Sequence, residues 1–214
     1  MIQKIFLFIF ITIISSCCLS DSDSDLCRTT YQFDFPITLY PAIDTFQIND
    51  TVWLEMQYAQ NLFDRNSATI IEVGDFDFEL ELLLGGFDLT GVYDAIESFE
   101  VVAIQGNVTK QILPVFSSFN LEFEWTNNEV YALKLAIIPK NIGNFSTTFN
   151  DGNFLNRDVM LNEDSPCKER LQISYSINHL LDNNYEFYIN NSSDEITTLE
   201  GYNYAGTYSF VVTE

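Results

Sequence analysis

The chain has 214 residues, with 31 acidic and 9 basic side chains, one His, four Cys and a formal net charge of −22. This charge excludes nucleic acid as a partner, because affinity for phosphate backbones comes from Lys and Arg side chains that displace counterions. A single His argues against zinc sites with several His ligands and against Ser–His catalysis. The hydrophobic content of 47% is too high for a disordered acidic tail. The length suits one domain, or two small ones, with a substantial core.

The N-terminus has the pattern of a secretory leader. Residues 5–14 are apolar except for Thr12, and they follow a short, weakly basic start that contains Lys4. A helix of this length would span about 15 Å, whereas a transmembrane helix needs about 20 residues. Residues 1–16 are therefore predicted to be a signal peptide, and a short uncleaved anchor is the alternative.

The leader ends in Ile14-Ser15-Ser16-Cys17. This sequence resembles the lipobox of bacterial lipoproteins, in which an aliphatic residue and two small residues precede a Cys. The resemblance implies that the Cys17 thiol receives a diacylglyceryl group and becomes the acylated N-terminus after cleavage. Cys18 fits less well, because its register puts Ser15 in the aliphatic position. Two or three acyl chains, at about 0.8 kcal/mol per buried CH₂, would anchor the protein to a membrane.

An acidic, serine-rich run follows within the stretch 17–27. Its members are Ser20, Asp21, Ser22, Asp23, Ser24 and Asp25. The run resembles the export signal of Bacteroidetes-type lipoproteins, although Ser alternates here with Asp. The resemblance implies an outer-membrane lipoprotein exposed at the cell surface, with the periplasmic face as the alternative. As a physical object the stretch is a solvated acidic tether, and it lacks the Gly and distal Glu of an EF-hand. No metal or other cofactor is predicted.

The rest of the chain alternates apolar and polar residues, as half-buried strands do. The clearest case is 75–82, where every even position is apolar and every odd position is acidic. Alternation also occurs at 120–125 and at 31–35, where Pro36 is expected to end the strand. Further strands are predicted at 51–56, 69–73, 99–104 and 207–212.

Two hairpins are predicted from turns rich in Asn and Asp, which tolerate the left-handed backbone conformation. The turns lie at 126–128 and 182–184, and they join 121–125 to 130–138 and 171–177 to 185–189. The stretch 93–97 is compatible with one helical turn.

About ten short strands with dense turns and no sustained helical period predict an all-β fold. The expected architecture is an antiparallel β-sandwich, immunoglobulin-like or jelly-roll-like. The stretches 44–54 and 206–212 resemble two segments of bacterial immunoglobulin-like modules, but no Cys pair brackets a core Trp as in antibody domains. One sandwich over 28–214 is expected, and two small sandwiches divided near 106–118 are the alternative.

The sequence offers little that could carry catalysis. His179 lies just before a predicted turn, and no nucleophile motif of the G-x-S-x-G type accompanies it. Carboxylate pairs are abundant enough for glycosidase geometry, but the alternation places them on the solvent faces of strands. No catalytic residue is predicted, and the chain is expected not to be an enzyme.

Tyr202 and Tyr204 are the best candidates for a ligand site. They lie between Gly201 and Gly206, whose backbone freedom favours an exposed aromatic pair, and packing in a turn is the competing interpretation. The function that follows is a lipid-anchored, non-enzymatic structural, adhesion or binding module with an unknown glycan or protein ligand. One alternative is a carbohydrate-binding accessory lipoprotein of a polysaccharide-uptake system, and a second is a hydrolase that uses paired carboxylates.

Cys27 and Cys167 are predicted to form a disulfide. Lipidation would occupy Cys17, and Cys18 would lie beside the bilayer. The remaining two cysteines belong to an exported chain, where oxidation is permitted. The bridge would fix the first strand to the body of the protein where the tether leaves it, and two buried thiols are the alternative.

Overall fold

The computed structural model describes most of the chain after residue 26. The described residues are 27–74, 76, 78–126, 130–150, 167–180, 183–193 and 198–214. The predicted signal peptide at 1–16, Cys17 and the acidic run at 20–25 lie outside the described residues.

Strands dominate the described residues. In chain order they are β1 (Arg28–Tyr40), β2 (Thr45–Gln47), β3 (Val52–Ala59), β4 (Asn61–Asp64), β5 (Thr69–Glu72), β6 (Glu79–Asp88), β7 (Gly91–Asp94), β8 (Phe99–Gln105), β9 (Asn107–Gln111), β10 (Ser118–Glu122), β11 (Glu124–Thr126), β12 (Val130–Pro139), β13 (Gly143–Asn150), β14 (Lys168–Ile177) and β15 (Tyr208–Thr213). Two short helices, α1 (Tyr185–Asn191) and α2 (Leu199–Tyr204), lie between β14 and β15, and 3₁₀ turns occur at Ile96–Ser98 and Asn178–Leu180.

The strands form two main sheets and a separate hairpin. The first sheet has the order β11-β12-β3-β1-β14, with β8 also paired to β12. The second has the order β2-β15-β13-β6-β10-β9, with β7 also paired to β6, while β4 and β5 form the hairpin. Buried side chains of both sheets, such as Phe35 and Leu54 from the first and Leu82 and Phe145 from the second, belong to one apolar core. The predicted all-β sandwich is confirmed.

Strands on both sides of the 106–118 connection lie side by side in each sheet. In the first sheet β3 pairs with β12, and in the second β6 pairs with β10 and β13. The apolar core is therefore continuous across that connection.

Two strand pairs are parallel, whereas the other named pairs of the described residues are antiparallel as predicted. β2 lies parallel to β15, and β1 lies parallel to β14 in a register that runs from Arg28 beside Lys168 to Ile37 beside Ile177. Parallel neighbours need a long crossover connection. Between β1 and β14 the chain passes through both sheets, so a pattern of local alternation could not have indicated this pair.

Pro36 does not end β1, contrary to the prediction. The backbone N–H of Gln32 donates to Asp64 and its carbonyl accepts from Arg65, so both groups point away from β14. The backbone nitrogen of Pro36, four residues further along β1, points in the same direction as that of Gln32, away from β14. On that side β3 begins to pair with β1 only at Ile37. The missing N–H of proline therefore costs no hydrogen bond between strands.

The predicted strand at 185–189 is wrong, because these residues belong to α1. Tyr185 and Tyr188, one helical turn apart, pack against Tyr202 with ring centroids 5.2 and 5.5 Å away. The alternation of aromatic and polar residues at 185–189 is compatible with a strand. In the structure, however, β14 pairs with β1 and not with this segment, and the aromatic rings of the segment pack in a second small cluster.

Most of the other predicted elements are confirmed, although the strand predicted at 75–82 begins only at Glu79. The strands on either side of 126–128 pair antiparallel as predicted, with Thr126 of β11 beside Val130 of β12. The run 120–125 is, however, divided between the sheets, since β10 belongs to the second and β11 to the first. Phe123, between them, packs against the core at the crossing.

Candidate functional site

The predicted aromatic segment forms α2, and the two sides of this helix line two different cavities. Glu200, Asn203 and Tyr204 line one cavity. Gly201 and Tyr202 line the other. We call the first the polar cleft and the second the apolar pocket.

The polar cleft has a volume of about 770 Å³ and is rich in charged and amide side chains. It lies between α2, the outer edge of the first sheet and the turn after β4. Its lining residues are Gln32, Asp34, Arg65, Ser174, Tyr175, Ser176, His179, Glu200, Asn203 and Tyr204.

The floor of the polar cleft is formed by the parallel pair β1 and β14. Asp34 and Ser174 are direct neighbours in the register of these strands. The Ser174 hydroxyl donates to the Asp34 carboxylate and also lies 3.4 Å from the Phe33 carbonyl oxygen. Arg65 Nη1 lies 3.0 Å from Asp34 Oδ1, so this half-exposed carboxylate contacts both a hydroxyl and a guanidinium.

Arg65 is positioned by its neighbour Asp64, a buried carboxylate at the end of β4. Asp64 accepts hydrogen bonds from the N–H of Gln32 at 2.7 Å, from Asn66 at 3.2 Å, and from the N–H and hydroxyl of Ser67 at 2.9 and 2.6 Å. Burial alone would raise the pKa of Asp64, but these hydrogen bonds outweigh it and hold the pKa below its usual range. The turn that carries Arg65 is thereby fixed to β1.

The structure separates the two predicted tyrosines. Tyr204 is exposed at 42% and lines the polar cleft. Tyr202 is only 1% exposed, so its prediction as part of an exposed aromatic pair is wrong. Its hydroxyl lies 2.7 Å from Ser209 Oγ and 2.8 Å from the Asn183 carbonyl oxygen, and burial raises the pKa of this phenol. The cause is the helical conformation, which turns the ring of Tyr202 toward the sheet and α1.

His179 lies at the rim of the same cleft, which also holds Ser174 and Asp34. It has a left-handed backbone conformation, with φ of 57°, in the 3₁₀ turn after β14. In a catalytic triad the imidazole stands between the carboxylate and the serine. Here the serine hydroxyl donates directly to the carboxylate, an arrangement that orders the floor of the cleft.

The apolar pocket has a volume of about 490 Å³ and lies on the outer face of the second sheet. It is flanked by the small aromatic cluster of Phe87, Tyr188 and Tyr202. Its lining residues are Leu83, Gly85, Val92, Phe116, Ser146, Thr148, Tyr188, Thr198, Gly201, Tyr202, Ala205 and Thr207. None of these described residues is an acid, a Lys, an Arg or a His.

Cys27 and Cys167 are joined in a disulfide, with their Cα atoms 4.8 Å apart. They immediately precede β1 and β14, and the N–H of Lys168 donates to the Cys27 carbonyl oxygen at 3.1 Å. The bridge therefore holds together the first residues of the two strands that form the floor of the polar cleft.

Sequence reasoning missed most of the polar cleft. Asp34, Arg65 and Ser174 are far apart along the chain and come together through the parallel pair and the β4–β5 hairpin. The one local signal was the Asp-Arg-Asn-Ser turn at 64–67, whose Asp and Ser are typical of turns capped by side chains.

No family model, curated protein or solved structure matches the chain. Among the described residues, no group of three or more His, Cys, Asp and Glu side chains could hold a metal ion. Within the same residues, no helix has the length and apolar character needed to span a membrane.

Proposed function

We propose that this protein is a lipid-anchored binding module of the cell envelope and that its polar cleft binds a carbohydrate. The observation that carries the proposal is the presence, in one cleft, of the exposed ring of Tyr204 beside amide and charged side chains. The anchor rests on the resemblance of Ile14-Ser15-Ser16-Cys17 to a lipobox, and the location at the outer membrane rests on the acidic run at 20–25.

The chemistry of the polar cleft matches that of a sugar. A pyranose has C–H faces that pack on aromatic rings, and around them hydroxyl groups that both donate and accept hydrogen bonds. Tyr204 offers a ring, and Gln32 offers an amide with donors and an acceptor. Asn203 offers its NH₂ group, because its Oδ1 accepts a hydrogen bond from Asn183. Glu200 and Arg65 add a charged acceptor and donor. The volume of about 770 Å³ is in the range of sites for small ligands.

Part of the cleft is ordered before any ligand arrives. The hydrogen bond of Ser174 to Asp34 and the buried turn at Asp64 fix the floor, whereas the half-exposed ion pair of Arg65 with Asp34 adds little. Groups that are already held in position lose little conformational entropy on binding, which favours affinity for a rigid, polar ligand.

A glycan array tests this proposal. The wild-type protein is expected to bind a subset of glycans saturably, and Tyr204→Ala should weaken that binding about tenfold, equivalent to about 1.4 kcal/mol. The matched control is Tyr93→Ala, which removes another exposed tyrosine, 47% exposed and outside the cleft. Absence of glycan binding by the folded wild-type protein would contradict the proposal, as would equal losses in the two variants.

A further inference from the structure

The apolar pocket is a second cavity, on the other side of α2 from the polar cleft. The outer face of a sheet in a two-sheet sandwich commonly faces water. Here α1 and α2 follow β14 and add Tyr188 and Tyr202 above the second sheet, while β7 adds Val92. A space of about 490 Å³ stays between these elements and the sheet.

Gly85 keeps this space open. It lies inside β6, paired with Ser146 on one side and with Asp94 on the other, and its backbone does not require glycine. A Cβ there would lie 3.4 Å from Ser146 Oγ and 3.5 Å from Phe116 Cζ, which is ordinary contact. Any longer side chain would extend into the pocket. Glycine inside a strand lowers stability and often marks a place where a ligand approaches the backbone closely.

The lining selects against charge. Leu83, Val92 and Phe116 present apolar surface, and the polar groups beside them are hydroxyls. Two of these hydroxyls, on Thr148 and Thr207, lie 3.2 Å apart and bond to each other. Among the residues that the structure describes, the lining thus offers no cation to an anionic ligand and no carboxylate to a cationic one.

The walls of the pocket are well packed. Tyr202 and Thr207 are buried, and the Tyr202 hydroxyl is anchored to Ser209 and to the Asn183 carbonyl. The cavity therefore exists without rearrangement of its walls, as most small-molecule sites do.

We propose that the apolar pocket binds a small, uncharged and predominantly apolar molecule, independently of the polar cleft. The ligand packs on Leu83, Val92 and Phe116 over the backbone of Gly85, and the hydroxyls of Ser146 and Thr148 accept or donate a small number of hydrogen bonds. Burial of apolar surface supplies the affinity.

The test uses N-phenyl-1-naphthylamine, an uncharged dye that fluoresces in apolar sites, with the folded full-length chain. Saturable binding at one site is expected. Gly85→Leu, which places a side chain in the pocket, should weaken it at least tenfold while the melting temperature stays near that of the wild type. Tyr204→Ala, in the polar cleft, is the control and should bind the dye as the wild type does.

A second variant keeps the test decisive where Gly85→Leu does not fold. Val92 lies at the rim and is 50% exposed, so Val92→Trp narrows the opening without a change in the core. Loss of dye binding in the variant that folds supports the proposal. Wild-type affinity in that variant, no saturable binding by the wild type, or equally tight binding of the anionic dye 1-anilinonaphthalene-8-sulfonate would overturn it.

Discussion

At the scale of single residues, Asp64 connects stability to the candidate site. Its buried carboxylate accepts hydrogen bonds from Gln32, Asn66 and Ser67, and the next residue, Arg65, reaches Asp34 in the polar cleft. A buried acceptor surrounded by donors is costly to disturb, because each donor left without a partner has already lost its water.

Asp64→Asn is expected to lower the free energy of unfolding by roughly 1–3 kcal/mol, because the new amide directs an NH₂ group at N–H donors. The folded-state pKa of Asp64 is lowered, so its contribution is fully present above the unfolded value, about 3.9, and is lost as the pH falls through the folded value. Urea unfolding of wild type and variant at pH 7 and pH 2.5 measures this. The difference in the free energy of unfolding between wild type and variant should be large at pH 7 and smaller at pH 2.5.

Asp88→Asn is the matched control, because Asp88 accepts the same kinds of hydrogen bonds from Thr90 and Gly91 in an exposed turn. It should change stability less than Asp64→Asn. A difference between wild type and Asp64→Asn that does not depend on pH would contradict the assigned role of the Asp64 charge.

The two tyrosines of α2 show what a sequence can and cannot predict at this scale. Of the two glycines that marked the segment, only Gly206 has a left-handed backbone, with φ of 58°, because Gly201 lies inside α2. Tyr204 lies in a cleft. The burial of Tyr202 could not be inferred, because it depends on contacts with the aromatic rings of α1. The sequence of α1 has the apolar–polar alternation of a strand, so a helix was not expected there.

At the scale of elements, the parallel pair of β1 and β14 carries the polar cleft. The strands themselves follow from alternation, since apolar side chains such as Phe33 and Phe35 in β1 and Ile173 in β14 face the core. Their pairing does not follow, because neighbours in a parallel pair are set by the path of the whole chain. Cys27 and Cys167 were the only sequence feature that linked these two ends.

Removal of the bridge tests the strength of that link. Loss of the disulfide, by reduction or in the double variant Cys27→Ser and Cys167→Ser, is expected to destabilise the protein by up to about 4–5 kcal/mol, because the unfolded chain loses a long closed loop. Urea unfolding of the oxidised and reduced protein measures the change. Hydrogen exchange should increase first in β1 and β14, beside the bridge.

Thiol counting on the denatured, unreduced protein provides the check on the pairing. Cys27 and Cys167 should not react with a thiol reagent. The variant Cys18→Ser is the control, and in it Cys27 and Cys167 should be equally protected. Reactive thiols at both positions would contradict the disulfide.

At the scale of the whole molecule, the proposal is a folded acidic body held to a membrane by its N-terminus. A net charge of −22 keeps such a protein soluble and repels other anionic surfaces, but it does not identify a ligand. The anchor and the export run lie outside the described residues, so the following two predictions test them in cells.

Cys17→Ala is expected to abolish labelling by a radioactive fatty acid and to release the protein from membranes, because the proposed acyl chains supply the attachment. Cys18→Ala is the matched control and should stay labelled. Labelling that survives in Cys17→Ala and disappears in Cys18→Ala would move the site by one residue, and an unlabelled wild type would refute lipidation.

Protease added to intact cells is expected to digest the body of the wild-type protein, if the run at 20–25 directs it to the cell surface. Replacement of Asp21, Asp23 and Asp25 by Ala should protect it, whereas replacement of Ser20, Ser22 and Ser24 by Ala should not. A wild-type protein that resists the protease on intact cells but not on lysed ones would contradict surface exposure.

In the proposed function, the ring of Tyr204 forms the contact surface for a carbohydrate in the polar cleft. Calorimetric titration with the best glycan from the array measures this contact in the wild type, Tyr204→Phe, Tyr204→Ala and the control Tyr93→Ala. Tyr204→Phe keeps the ring and should bind within about threefold of the wild type, whereas Tyr204→Ala should bind about tenfold more weakly, a difference of about 1.4 kcal/mol. Equal affinity of Tyr204→Ala and wild type for the glycan, with both proteins folded, would exclude this role of the Tyr204 ring.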